Sequence, residues 1–496
     1  MDRLSAQDMS SIWPEMFGWP FDIGGLAILD GDNLVDASGD VRLDYVREAV
    51  ESKLHFVPRF RQLLHQPGFG FGRPLWVDAP SFDITDHIHV MPLGPASDEG
   101  QLLRACEQLH GRRLDPSRPL WEMWLLPGLT DGRVGLFLKM HHAIADGVTG
   151  VATFASLLDM GPDPARTPTV PWIPGPMPSK TELFQDNLSR HTAQLATTFS
   201  KLAHLPDVWR RIRRAWPALS EFFFDGPAAR TSVNRPIGSR RRFDVVRTSL
   251  DLAKEAAHSA GAKVNDVLLT AIAGGLRDLL RSRGEPVDGL VLRAVVPVSL
   301  HTQLGSDAAN LDGAMVVPLP IGISDPAQRL CSIASETAKR KKKPRPAGGT
   351  VFRYGFLQRA FLRLYPRQRF VNVYVANVPG PPIPLYFAGA NLTEVYPLIP
   401  ILGNLTLGVG ALSYAGQFNI TVVSDADLCP DVDVFTAGIE RTFDQLSSNA
   451  ETHNLDGSEQ PYGNPDNGRW CREAIPLLLS DEEQSGSGPN HSTQAC

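Results

Sequence analysis

The chain has 496 residues, 43% of them hydrophobic and 21% charged, which is typical of a soluble globular protein with two or three domains. Its net charge of −6 at pH 7 gives no indication of nucleic-acid binding, so no nucleic-acid partner is expected. The five cysteines are scattered without metal-ligand spacing, no hydrophobic signal core begins the chain, and no run of about 18 apolar residues would span a membrane. We therefore expect a reduced, cytosolic protein.

Hydrophobic periodicity predicts a first α/β unit over residues 1–165. Its predicted helices cover 43–54 and 102–109, and its predicted strands cover 23–29, 76–77 and 134–140. Prolines then recur between 161 and 178, and a basic, helical stretch follows. Residues 166–235 are therefore predicted to be a connector.

A second α/β unit is predicted over residues 236–450. Its predicted strands cover 242–250, 291–296, 315–319, 370–375, 411–414 and 419–423, and its predicted helices follow Asn265 and span 432–446. The polar residues 451–496 are rich in glycine, serine and acidic residues, which predicts a disordered tail.

Residues 141–147, with the sequence His-His-Ala-Ile-Ala-Asp-Gly, are the segment most indicative of chemistry. They hold the only adjacent histidines in the chain and lie between a predicted strand and a predicted helix. A histidine side chain titrates near ~6.5, so it can take up and return a proton near neutral pH. We expect a general base here and favour His142 for that role.

Two alternatives stay open for this segment. His142 and Asp146 could bind a metal ion, but no third residue has a recognisable ligand spacing and zinc needs at least three protein ligands, so no metal is expected. Asp146 could instead cap the following helix, with Gly147 permitting close approach of the backbone or of the substrate. His141 is placed in the site, with packing as its alternative role.

Signatures of other enzyme classes are missing from the sequence. It has no G-x-S-x-G nucleophile motif, no phosphate-binding loop and no H-E-x-x-H motif. With no obvious nucleophile, the sequence predicts direct attack of a substrate hydroxyl, activated by histidine, on an activated acyl group.

In the order of its motifs, the chain resembles the bacterial wax ester synthase/acyl-CoA:diacylglycerol acyltransferases, from Arg3 to about residue 446. The H-H-x-x-x-D-G motif is complete, although related acyltransferases share its H-x-x-x-D core. The other motifs are Val57–Arg61, Gly72–Val77, Arg118–Glu122, Val264–Val267, Val296–Leu300 and Asn377–Pro382. The complete set of motifs, in this order, is more specific for the family than any single motif.

The resemblance implies an α/β (α+β) fold of two chloramphenicol-acetyltransferase-like domains, with the active site in a channel between them. It implies long-chain acyl-CoA as a co-substrate, no bound cofactor, and diacylglycerol or a long-chain alcohol as the acceptor. His142 matches the family's general base. Asp146 matches an aspartate that orders the loop by pairing with an arginine. Asn265 matches a motif that supports the oxyanion or lines the channel.

Some of these assignments stay open in the sequence. Asn265 could equally cap the helix in which it lies. The family usually places an arginine directly after Val296–Leu300, where this chain has His301. The arginine partner of Asp146 is therefore not identified, and Arg293 is one candidate.

Because both substrates implied by the resemblance carry long hydrophobic chains, a peripheral contact with the inner membrane or with lipid droplets is also expected. Two basic segments beside aromatic residues suit an anionic lipid surface, Trp209–Phe224 and Lys339–Arg345. A solvated charged loop is an equal alternative for each, and the lysine run could instead attract the phosphates of CoA.

The sequence leaves three functions to compare. An acyl-CoA-dependent O-acyltransferase making triacylglycerol or wax esters is favoured. An acyltransferase of the same superfamily with another acceptor or a carrier-protein donor is the second. A non-enzymatic lipid-surface protein is the third, and the intact histidine motif argues against it.

Overall fold

A computed structural model describes residues 1–5, 8–31, 33–145, 147–163, 171–202, 226–299, 312–342 and 363–455. Its strands are β1 Asp2–Arg3, β2 Asp22–Leu29, β3 Gln62–His65, β4 Leu75–Asp78, β5 Ile88–Val90, β6 Trp121–Pro127, β7 Val134–His141, β8 Arg241–Ser249, β9 Val291–Ser299, β10 Asp312–Pro320, β11 Val373–Pro379, β12 Tyr386–Phe387, β13 Ala390–Leu398, β14 Leu407–Tyr414 and β15 Gln417–Asp425. Its α-helices are α1 Met9–Ile12, α2 Leu43–Glu51, α3 Glu99–His110, α4 Gly147–Ala155, α5 Lys180–Leu202, α6 Leu250–Ser259, α7 Val264–Ser282, α8 Pro326–Lys341 and α9 Val432–Leu455.

Two six-stranded sheets form the frame of the molecule. The first has the strand order β12-β13-β2-β7-β6-β5, and the second has the order β10-β9-β11-β14-β15-β8. A small third sheet, β1-β4-β3, packs through Leu75 and Val77 against Leu183 of α5. The predicted mixed α/β fold with two sheet-rich domains is confirmed.

Strand β13 joins the first sheet although it comes late in the chain. It runs antiparallel to β2, with Leu398 opposite Gly24 and Leu392 opposite Leu29. No strand is predicted here from the sequence, in which Pro397 interrupts the hydrophobic pattern. Among the described strands, β12 covers only the first two residues of β13, so the rest of that side is a sheet edge, where proline is tolerated.

Helix α7 lies at the centre of the second domain's core, with its apolar residues buried as the periodicity predicts. It crosses α9 at two glycines. A Cβ atom at Gly275 would lie 2.5 Å from the carbonyl oxygen of Phe435, and a Cβ at Gly438 would lie 2.7 Å from the Cα of Gly275. Only glycine permits this approach of the two backbones. Helix α9 extends to Leu455, beyond the predicted start of the tail at residue 451.

In the described part of the chain, no helix is both long and apolar enough to cross a bilayer. Cys106 and Cys429 are free and buried.

Candidate active site

The two histidines lie where β7 ends and the chain turns toward α4. His141 is the last residue of β7 and stands opposite Asp22 of β2. The amide of His141 donates to the carbonyl of Leu120, and the amide of His142 donates to the carbonyl of Phe21, each at 3.0 Å. The strand–turn–helix arrangement predicted from the sequence is present. Because consecutive side chains of a strand point to opposite faces, the two imidazoles enter different surroundings.

The imidazole of His142 is half-buried and faces an apolar cavity. It stacks on the ring of Phe21, with the ring centroids 4.7 Å apart and the planes inclined by 19°. Its Nδ1 atom lies 3.5 Å from the hydroxyl oxygen of Ser11. A protein hydroxyl therefore lies beside this ring nitrogen.

The imidazole of His141 is buried on the other side, beside a polar cavity. Its Nδ1 accepts a hydrogen bond from the amide of Ala143 at 3.0 Å, and its Nε2 lies 3.3 Å from Oε1 of Glu15. Partial burial alone would raise the pKa of Glu15. The hydrogen bond from His141 and the nearby positive charges outweigh burial and hold the pKa below its ordinary value. Glu15 is therefore ionised at neutral pH.

A buried ion pair supports the end of β7. The Nζ of Lys139 lies 3.2 Å from Oδ2 of Asp22, and neither side chain is more than 4% exposed. Lys139 also donates to the carbonyls of His110, at 3.1 Å, and Arg112, at the C-terminal end of α3, where helix carbonyls need partners. Burial raises the pKa of Asp22 above its ordinary value, although Lys139 opposes this effect. Lys139 thus ties β2, β7 and α3 together.

His110, at the end of α3, should make the fold sensitive to acid. Burial, with the positive charges of Lys139 and Arg241, lowers the pKa of His110 to about 3. Its neutral form therefore contributes stability that is present above the unfolded-state pKa of ~6.5 and is lost as the pH falls toward 3. We expect the free energy of unfolding to fall less steeply with acid in His110→Gln than in wild type.

Urea denaturation of both proteins at several pH values measures this difference. Between pH 7 and pH 4 it should change by on the order of 3 kcal/mol. Parallel curves for the two proteins over this range would contradict the prediction.

The apolar cavity beside His142 lies between α4, the first sheet and strands β11 and β14 of the second sheet. Gly24 and Leu398 line it near the end of β2 that faces His142. Leu385, Leu392 and Tyr414 line its other end. Apart from His142 and three tyrosines, the lining side chains carry no polar group.

The residues of β13 that line this cavity extend along most of that strand. Leu392 and Leu398 lie six positions apart on β13, which corresponds to about 20 Å in an extended strand. At the far end, the hydroxyl of Tyr414 accepts a hydrogen bond from the amide of Leu385 at 2.8 Å and donates to the carbonyl of Leu392 at 3.1 Å. These two bonds hold the Tyr414 side chain at the end of the cavity opposite His142.

The other predicted site residues lie at different places. Gly147 is the first residue of α4, and Asp146 lies outside the described residues. Asn265 is half-buried in the first turn of α7, where Asp266, not Asn265, accepts the amide of Lys263 at 3.0 Å. Although the structure describes Asn265, this residue does not line the cavity that His142 faces. Its part in catalysis stays a prediction.

Arg293, the candidate partner of Asp146, lies in β9 and donates to the carbonyl of Gly226 at 2.8 Å. Of the two basic segments, Trp209–Phe224 lies outside the described residues. The lysine run is described up to Lys342, at the end of α8, where Glu336 pairs with Lys339 at 3.1 Å.

Four residues around the histidines were not indicated by the sequence: Ser11, Glu15, Phe21 and Asp22. None belongs to a recognised motif, and Ser11 is 131 positions from His142. The pairing of β2 with β7 brings them to the site. A sequence signal for them would have required knowledge of this strand pairing.

Comparisons with known proteins agree with this architecture. Residues 4–268 match the family model of the wax ester synthase/diacylglycerol acyltransferase catalytic domain, and residues 309–447 match the model of the C-terminal domain of the same family. The probable diacylglycerol O-acyltransferase tgs1 of Mycobacterium tuberculosis is 31% identical over 435 residues, which cover 86% of this chain and 90% of that protein.

Two solved structures share the fold. The wax ester synthase/diacylglycerol acyltransferase from Marinobacter aquaeolei VT8 superposes with a TM-score of 0.63 at 23% identity, covering 90% of this chain and all of that one. The trichothecene 15-O-acetyltransferase TRI3 of Fusarium sporotrichioides superposes with a TM-score of 0.59 at 14% identity, covering 90% of this chain and 94% of that one.

Proposed function

Since the chain belongs to the wax ester synthase/diacylglycerol acyltransferase family and is an acyltransferase of that type, we propose that it transfers a long-chain acyl group from acyl-CoA to the hydroxyl of diacylglycerol. The proposal rests on the apolar cavity, which has His142 near one end and is lined by residues that span about 20 Å of β13. A long-chain alcohol is the alternative acceptor. The name of the tgs1 relative favours diacylglycerol.

In the proposed reaction, the acyl chain lies in the cavity and its thioester carbonyl lies beside His142. Nε2 of His142 takes the hydroxyl proton as the acceptor oxygen attacks the carbonyl carbon. The tetrahedral intermediate collapses, the C–S bond breaks, and the CoA thiolate takes the proton from the imidazolium. A general base of this kind contributes a rate factor of about 10²–10⁴. The reaction needs neither an acyl-enzyme nor a bound cofactor.

The oxyanion of the intermediate needs a hydrogen-bond donor, which adds a factor of about 10²–10³. We propose the side-chain amide of Asn265 for this role. Asp146 is proposed to order the turn that carries His142, and Gly147 to leave room for the substrate next to it. None of the three takes or gives a proton in this scheme.

Purified protein with radiolabelled palmitoyl-CoA tests the function directly. Diacylglycerol and hexadecanol are supplied in separate reactions, and the lipid products are separated. We expect labelled triacylglycerol from the first reaction, and wax ester from the second only if the enzyme accepts alcohols. Release of CoA and free fatty acid without either acceptor would indicate that the protein hydrolyses the thioester. No product and no CoA release with any acyl-CoA would contradict the proposal.

The placement of the acyl chain predicts two different chain-length limits in two variants. Gly25 lines the cavity near the His142 end, and a Cβ atom there would lie 3.5 Å from the carbonyl oxygen of Tyr396, an ordinary contact. Leu158 lines the cavity and precedes Asp159, which bridges to Tyr386 at the far end. The Gly25→Leu variant should therefore accept only short acyl chains. The Leu158→Trp variant should accept short and medium acyl chains and exclude only the long ones.

The measurement is kcat/KM with a series from butyryl-CoA to stearoyl-CoA. Beyond each limit we expect a loss of about tenfold or more relative to shorter chains. Leu188→Trp is the matched control, because Leu188 is exposed on α5. If neither cavity variant shifts the chain-length profile, or both shift it to the same length, the acyl chain does not lie along this cavity.

Contact with a lipid surface is proposed as well, because the acceptor is insoluble in water. The basic end of α8, with Lys339, Arg340, Lys341 and Lys342, supports attraction to anionic lipid. Flotation with vesicles that contain or lack phosphatidylglycerol tests this. Failure to float with either vesicle would remove the proposal.

A further inference from the structure

One short segment contacts both histidines of the site. Residues 9–17, here called the N-terminal segment, comprise α1 and a 3₁₀ turn, Trp13–Phe17, and they precede β2. Ser11 of this segment lies 3.5 Å from Nδ1 of His142, and Glu15 lies 3.3 Å from Nε2 of His141. We propose that the N-terminal segment is a positioning element for the histidine pair, in which Glu15 fixes the tautomer of His141 and Ser11 orients His142. The proposal rests on the proposed role of His142.

The tautomer of His141 follows from its two contacts. The amide of Ala143 donates to Nδ1 of His141, so Nδ1 carries no proton and acts as the acceptor. The neutral ring then carries its proton on Nε2, which faces the carboxylate of Glu15. With the proton on Nδ1 instead, two N–H groups would face each other and the amide of Ala143 would lose its partner. Glu15 therefore favours the Nε2–H tautomer of His141, in which Nδ1 accepts the hydrogen bond from the amide of Ala143.

This matters because Ala143 directly follows the proposed base. The amide of His142 itself is held by the carbonyl of Phe21 at 3.0 Å, and the amide of Ile144 by the carbonyl of His141 at 2.9 Å. Together with the bond from Ala143, three consecutive amides of the turn are fixed. The backbone that carries the His142 ring is thereby held on both sides.

The N-terminal segment also acts on the His142 ring. The Phe21 ring sets the plane of the imidazole by stacking, and Ser11 stands at Nδ1. Ser11 is 7% exposed, so its hydroxyl has little access to water. With the Ser11 hydroxyl beside Nδ1, the ring is oriented so that Nε2 is the nitrogen proposed to accept the proton of the substrate hydroxyl. Glu15 and Ser11 each act through a histidine, and neither side chain needs to touch the substrate.

Paired substitutions separate the two hydrogen bonds of His141. The side chain of asparagine places an acceptor where Nδ1 stands, whereas the side chain of glutamine reaches the place of Nε2. We therefore expect His141→Gln to lower kcat by about tenfold, as the loss of one aligned hydrogen bond would, and His141→Asn to lower it less. Glu15→Ala should lower kcat by a similar factor, and Glu15→Gln, which keeps an acceptor, should restore most of it. KM for palmitoyl-CoA should change little in all four.

Ser11→Ala should lower kcat about fivefold at unchanged KM. Glu255→Ala is the control for the loss of an exposed carboxylate, since Glu255 lies on the exposed side of α6. Melting temperatures identify any variant that fails to fold. Equal kcat in His141→Gln and His141→Asn, or wild-type kcat in Glu15→Ala, would overturn the proposal.

A readout that does not depend on catalysis keeps this inference separate from the proposed function. Long-range ¹H–¹⁵N correlation spectra of the imidazoles report which nitrogen of His141 carries the proton. We expect the Nε2–H form in wild type and in Glu15→Gln, and a mixture of tautomers in Glu15→Ala. An Nδ1–H form in wild type would overturn the positioning role even if the enzyme transfers acyl groups. The expected tautomers in a protein without acyl transfer would instead count against the proposed function alone.

Discussion

Replacement of His142 by alanine is expected to abolish acyl transfer and leave the fold intact. No other histidine among the described residues lines the cavity in which the acyl chain is proposed to lie. His141 faces away and is engaged by Glu15 and Ala143. Without a base, the acceptor hydroxyl must attack as a neutral alcohol, so kcat/KM should fall by at least about 10²–10⁴.

Single-turnover transfer from labelled palmitoyl-CoA to diacylglycerol measures the effect. His258→Ala is the matched control, because His258 is exposed on α6, and it should keep wild-type activity. Since His142 is only half-buried and follows the end of β7, its truncation should change the melting temperature by no more than a surface substitution does. Turnover near the wild-type rate in a folded His142→Ala protein would rule out the general-base mechanism.

Replacement of Lys139 by methionine should destabilise the protein by about 3–5 kcal/mol, because it leaves the buried charge of Asp22 without its partner. Both side chains are almost fully buried. The carbonyls of His110 and Arg112 would lose their donor in the same step. The loss should appear as a lower midpoint in urea denaturation at pH 7.

A double-mutant cycle with Asp22→Leu separates the ion pair from the helix-end contacts. Lys139→Met with Asp22→Leu should be more stable than Lys139→Met alone, since the unpaired carboxylate is gone. Lys254→Met is the surface control. Lys254 pairs with Asp251 at 3.0 Å in an exposed position, and its loss should cost less than about 1 kcal/mol. Equal effects of Lys139→Met and Lys254→Met would show that burial does not strengthen the pair.

The sequence predicted well what depends on neighbouring residues. The strand before His141 and the helix after Gly147 follow from local periodicity, and both are present. Helix α7 likewise follows from apolar residues that recur on one face. The motifs also predicted the family, because their order along the chain is specific.

Contacts between distant segments could not be predicted in this way. Glu15 and Asp22 reach the site only because β2 pairs with β7 in one register. Strand β13 was not predicted, because Pro397 interrupts its hydrophobic pattern and because its partner strand, β2, begins more than 360 residues earlier. The roles of the hydroxyl of Tyr414 and the amine of Lys139 depend on backbone carbonyls that such pairings place beside them.

The position of β13 in the first sheet has a consequence for synthesis on the ribosome. The edge of β2 that β13 covers stays open while roughly 360 further residues are translated, which takes on the order of 20–70 s at ~5–20 residues per second. During that time an apolar strand edge is available for pairing with other chains. We therefore expect the nascent first domain to depend on a chaperone, or on slow folding of β2 and β7, until Ala390–Leu398 leaves the exit tunnel.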